Sequence, residues 1–106
     1  MANCKKDFLD EVSGKIVLCA EITFDVYRYD DDNENKKCAR LQSGFSNEQY
    51  HDFLKNIDYE YDAGYGGQEV YGTIWYADGT WSERAEYDGS EWWEYKSCPE
   101  IPETLK

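Results

Sequence analysis

The chain is poor in basic residues and in most of the groups that mark a reaction. Histidine occurs once, at His51, so no Ser-His-Asp or Cys-His set can be assembled around a local signature. The four cysteines, Cys4, Cys19, Cys38 and Cys98, are widely spaced and contain no C-x-x-C unit, which argues against a structural zinc site. Only 11 residues are Lys or Arg against 23 Asp or Glu. A surface that releases counterions from a nucleic-acid duplex needs the opposite balance, and anionic membranes would repel the chain likewise. No apolar run approaches the roughly 20 residues of a spanning helix. Behind the opening Met-Ala-Asn-Cys-Lys-Lys-Asp there is no apolar signal core. The expectation is therefore a protein that stays in the compartment where it is made, with four reduced thiols.

What is present is concentrated. Between Asn56 and Tyr95 lie ten carboxylates and one basic residue, Arg84, together with all four tryptophans and six tyrosines. The formal charge is −12, well beyond the magnitude of roughly 2–8 that keeps a small domain soluble. Such charge often signals disorder, but disordered chains are poor in aromatics, which here make up 17%. At 106 residues the chain has the length of one folded domain, 1–106, with a short N-terminal segment at 1–14 and an extended tail at 99–106.

Period-two patterning gives the firmest element. From Lys15 to Tyr29 the even positions read Ile16, Leu18, Ala20, Ile22, Phe24, Val26, a strand with one buried face. Lys37, Ala39 and Leu41 alternate with Cys38, Arg40 and Gln42, which predicts a returning strand after the polar loop Asp30–Asn35. Ser46 with Gln49 three residues later forms a capping box. Tyr50, Phe53, Leu54 and Ile57 then follow at helical spacing, so a helix is expected over Asn47–Ile57. Ile57, Tyr59 and Tyr61 alternate with Asp58, Glu60 and Asp62 as a further strand, rings inward and acids outward. Two Asp-Gly pairs, Asp78-Gly79 and Asp88-Gly89, then join alternating aromatic runs into a three-stranded meander. The fold expected is α+β, a single helix packed on an antiparallel sheet in the order ββαββββ. Asp7–Val12 is at most a short helical addition ending at Gly14.

Turn geometry affects how the charges meet. A two-residue loop at Asp88-Gly89 sets Glu86 against Glu91 and Glu83 against Glu94, and like charges directly opposite destabilise a strand pair. A bulged three-residue loop avoids this by pairing Ala85 with Glu91 and Arg84 with Trp92. The same kind of loop at Asp78-Gly79 pairs Trp75 with Trp81. The bulged form is expected at both turns, with positive φ at Gly79 and Gly89.

No chemistry follows from the acids alone, since 23 carboxylates in 106 residues guarantee pairs at any separation. Asp30–Asn35 lacks the glycine and glutamate of a helix-loop-helix calcium site, and Gly64–Gly67 lacks the lysine of a phosphate loop. Catalytic, cofactor and metal residues are accordingly not assigned, and no enzyme activity is expected. Trp92 and Trp93 must point to opposite sides of their strand, so some rings face away from the helix.

The run Gly72-Thr73-Ile74-Trp75-Tyr76-Ala77-Asp78-Gly79-Thr80-Trp81 is continued by Glu86-Tyr87-Asp88-Gly89-Ser90-Glu91-Trp92-Trp93 and Pro99-Glu100-Ile101-Pro102. Together they resemble a pattern in small uncharacterised phage and prophage accessory proteins, over the last third to half of the chain. The resemblance implies a viral accessory role in a host cytoplasm and brings no catalytic residues with it. In size and charge the chain also resembles compact acidic phage inhibitors that imitate nucleic acid. The functional expectation is an interaction protein that takes a basic surface of a nucleic-acid-handling protein through Asp58, Glu60, Asp62, Glu83, Glu86, Glu91 and Trp93. A virion or accessory protein with no inhibitory role, or a carbohydrate-binding module using its aromatics, are the alternatives.

Overall fold

The computed structural model describes residues 2–26, 35–61, 69–87, 90–98 and 104. Its elements run β1 (Ala2–Asn3), α1 (Cys4–Val12), β2 (Val17–Val26), β3 (Asn35–Leu41), α2 (Asn47–Asn56), β4 (Glu60–Tyr61), β5 (Val70–Tyr76), β6 (Trp81–Tyr87) and β7 (Ser90–Lys96). Five strands form one antiparallel sheet in the order β3-β2-β5-β6-β7, and β1 pairs with β4 as a separate two-stranded ribbon. The class is α+β, as expected, with both helices on one side of an antiparallel sheet.

A single helix does not suffice, because the N-terminal segment folds as α1. Asn3 caps it by accepting the Lys6 N–H at 3.0 Å, and Cys4, Phe8 and Val12, spaced by four, are buried along one stripe. Phe8 meets Phe53 of α2 edge-on, with ring centroids 5.2 Å apart. Helix α2 keeps the expected start: Ser46 accepts from Gln49 N–H while the Gln49 side chain accepts from Ser46 N–H. Phe53 and Ile57 fill the space between α2 and the sheet, and His51 is exposed.

The inward face of the sheet carries Ala20, Ile22 and Phe24 of β2, Ala39 and Leu41 of β3, and Val70, Ile74 and Tyr76 of β5, all buried. The alternation read from Ile16 breaks at one point. Leu18 is an extra residue between the pairs Val17–Tyr76 and Cys19–Trp75, so the phase flips across the bulge. Ile16 and Leu18 are thereby turned out to 75% and 44% exposure, and Val17 packs inward in their place.

The first meander turn is the expected one. Trp75 pairs with Trp81, Gly79 N–H reaches Tyr76 O, and Gly79 has φ 87°. The second differs. Tyr87 pairs with Ser90, Ala85 with Trp92 and Arg84 with Trp93, which is the register that sets Glu86 against Glu91 and Glu83 against Glu94. The repulsion that argued against it is relieved locally. Glu91 lies under the sheet on an arginine, and Glu83 accepts from Trp81 Nε1 at 2.7 Å and pairs with Lys96 at 3.3 Å. Asp88-Gly89 itself, the loop Asp30–Glu34, Asp62, Gly64–Gly67 and most of the tail fall outside the described residues.

Candidate interaction surface

The seven residues expected to meet a partner do not form one patch. Asp58 and Glu60 are exposed beside the β1–β4 ribbon, where Asn3 Nδ2 donates to Asp58 at 3.1 Å. Their neighbours Ile57 and Tyr61 are buried, so the alternation of rings inward and acids outward holds up to Tyr61; Asp62 lies beyond the described residues. Glu83 stands on the outward face of the sheet. Glu86 is exposed at the far end of β6, on the helix side. Glu91 and Trp93 are corrections: both turn inward, and the Glu91 side chain is only 1% exposed.

Glu91 is withdrawn because it holds the interior together. Its carboxylate accepts the backbone N–H groups of Glu69 at 2.8 Å and Val70 at 3.0 Å, and the Arg84 Nη2 at 2.6 Å. Arg84 is 2% exposed, lies 5.5 Å from the Tyr61 ring centroid and 5.2 Å from that of Trp93, and also donates to Tyr61 Oη at 3.1 Å. Tyr61 in turn donates to Asp7 of α1. A parallel chain runs from Tyr76 through Ser82, which donates to Glu11 at 2.7 Å. Thus α1 turns its apolar stripe to α2 and its acidic side, Asp7 and Glu11, to β6 and β4. Burial pushes the Cys4 thiol beside this cluster up to about 11, with Arg84 opposing and Asp7 and Glu91 adding to the rise. Burial, then the bond to Asp7, also raises the Tyr61 hydroxyl well above its ordinary value.

Sequence reasoning missed Arg84, although the signal was present. It is the one cation among ten carboxylates, and it alternates in phase with Ser82 on a strand whose other face carries Trp81, Glu83 and Ala85. A cleft of about 270 Å³ opens beside it, lined by Asp7, Asp10, Glu11, Arg84, Glu91, Trp92 and Trp93. Arg84 Nε and Trp93 Nε1 are buried there without an acceptor.

The opposite face of the sheet has neither helix across it. Strand alternation places Tyr71, Thr73 and Trp75 of β5, Trp81, Glu83, Ala85 and Tyr87 of β6, and Trp92, Glu94 and Lys96 of β7 on it. Trp75, Trp92 and Tyr71 are each a little over 40% exposed, and Tyr87 is 76% exposed. Glu83 and Glu94 face each other across β6 and β7, with Trp81 two residues before one and Trp92 two residues before the other. The hydrogen bond from Trp81, then that from Lys96, holds the Glu83 carboxyl below its ordinary range.

Among the described residues no group of His, Cys, Asp and Glu is arranged to hold a metal ion, and no helix is long and apolar enough to cross a membrane. Comparison with protein-family models, curated proteins and solved structures finds no match to the chain.

Proposed function

We propose that this is a small acidic interaction protein of the phage accessory kind, which binds a basic surface of a nucleic-acid-handling protein and competes there with nucleic acid. One observation carries the reading: among the described residues most exposed acids have no ion pair. Among the described residues the ion pairs are Arg40–Glu21, Arg84–Glu91 and Lys96–Glu83, and the second of these is buried. Asp10, Asp52, Asp58, Glu60, Glu86 and Glu94 are exposed without a cation. Carboxylates kept apart from counter-charges repel one another in the free protein and gain most when a basic surface approaches. Asp58 and Glu60 adjoin the ribbon and supply a compact part of this charge, and Asp62 continues their alternation in the sequence.

The test is capture from host lysate at low salt, repeated at high salt and with added nucleic acid. Binding should fall steeply with salt, since exposed charge contacts are screened. Nucleic acid should displace the partner. Asp58→Asn, Glu60→Gln and Asp62→Asn together should weaken capture and leave the far-ultraviolet spectrum unchanged. Capture that ignores salt, nucleic acid and all three substitutions would eliminate the reading.

A further inference from the structure

We propose that the outer face of the sheet receives an arginine side chain of the partner, with the guanidinium laid on Trp92 and forked to Glu94. This rests on the reading of a basic partner and names the chemistry that one face selects.

The register is the first support. Directly opposed glutamates, Glu83 and Glu94, are unfavourable in a strand pair, and they occupy the face that neither α1 nor α2 covers. Glu83 is answered by Trp81 Nε1 and Lys96, whereas Glu94 is exposed and has no partner among the described residues. Of the carboxylates on this face, Glu21 is also paired, to Arg40. Among the described side chains of this face, Glu94 is thus the unanswered carboxylate, and it shares the face with half-exposed indoles, Trp75 at 43% and Trp92 at 42%.

The occupant follows from shape and charge. A second copy of the chain would oppose −12 to −12, and an anionic ligand meets the same field. A purely apolar partner would strand Glu94 and the Glu83–Lys96 pair. Lysine satisfies the carboxylate but offers a compact, strongly hydrated ammonium. Arginine offers a planar, weakly hydrated group that stacks on an indole while two N–H donors meet one carboxylate. Rings and acid are used together best by arginine.

Titration of tryptophan fluorescence at low salt with octa-arginine and with octa-lysine decides the matter. Octa-arginine should quench the indoles and bind at least about threefold more tightly than octa-lysine, since stacking adds a modest term at exposed sites. Glu94→Lys replaces an exposed, unpartnered side chain and so should not disturb folding. It should weaken octa-arginine by about tenfold, and Asp58→Asn with Glu60→Gln should weaken it less. Trp92→Ala should remove the preference for arginine, with a thermal melt confirming that the variant is folded. Equal binding of the two peptides, unaffected by Glu94→Lys but lost with Asp58→Asn and Glu60→Gln, would overturn the arginine site and leave the basic partner standing. Binding of neither peptide at low salt would overturn both.

Discussion

Replacing Arg84 with methionine keeps much of the side-chain volume and removes the charge that Glu91 faces. The two side chains are 2% and 1% exposed and 2.6 Å apart. Glu91 would be left as a buried carboxylate held only by the N–H groups of Glu69 and Val70. Breaking a buried pair from one side costs about 3–5 kcal/mol, because the surviving charge cannot be rehydrated. Against a total stability of roughly 5–15 kcal/mol this is a large loss, and it corresponds to a fall in Tm of the order of 4 °C per kcal/mol at this chain length. Glu91→Gln alone strands Arg84 and should cost a similar amount. The double variant carries no buried charge, and the amide oxygen still accepts from one of the two backbone N–H groups. Its cost should fall short of the sum of the two by about 2–3 kcal/mol. Urea unfolding followed by tryptophan fluorescence and by circular dichroism measures all four corners of the cycle. An Arg84→Met variant within about 1 kcal/mol of the parent, with additive singles, would refute the claim that this pair closes the interior.

Gly72→Ala should destabilise by about 1–3 kcal/mol in the same assay, because its Cβ would stand 2.4 Å from the Glu21 carbonyl oxygen of β2 and the two central strands would have to part; an unchanged urea midpoint would contradict this packing. In thiol titration of the native protein without reductant, exposed Cys38 and Cys98 should react first, then half-buried Cys19, while Cys4, buried and pushed up to about 11, should react only on unfolding; early modification of Cys4 would show that α1 opens. Asp78 is held below its ordinary pKa first by the Thr80 hydroxyl and then by the Thr80 N–H. A depressed folded-state value means stabilisation that is complete above the unfolded value and lost as pH falls through the folded one. The stability gap between the protein and Asp78→Ala should therefore be present near about pH 7 and close on acidification below the carboxylate range; a gap that widens in acid would reverse the assignment.

Local rules carried the sequence reading well wherever one face met one core. The capping box at Ser46, the alternation through Ala20, Ile22 and Phe24, and the type of turn at Gly79 all follow from neighbours in the chain. Three features depended on distant residues and were read in part or not at all. Helix α1 was read only over Asp7–Val12 and left out of the fold's helix count, because Phe8 gains its burial from Phe53, 45 positions on (53 − 8). The second turn was misjudged because Glu91 was treated as a surface charge facing Glu86, when Arg84 and two amides of β5's approach draw it inside. The bulge at Leu18 leaves no composition signal, since Ile16 and Leu18 are as apolar as the residues that replace them in the core. The acids expected to form the site were found dispersed for a related reason. Alternation assigns a side chain to a face, but only the pairing of strands shows what stands on the far side of it.

The strand order has a kinetic meaning. The hairpin β2–β3 and the meander β5–β6–β7 are each closed by short connections, whereas the pairing of β2 with β5 joins Ala20 to Ile74, 54 positions apart (74 − 20). Bringing those ends together spends chain entropy before any ladder bond returns it, so the expected slow step of assembly is this seam, with the two hairpin units formed first. Substitutions that trim Ile22 or Ile74 should slow refolding, while those at Ala85 should act on unfolding. Until the seam closes, the edges of β2 and β5 are both open and flanked by apolar side chains. The net charge of −12 opposes the pairing of half-formed chains with one another at those edges.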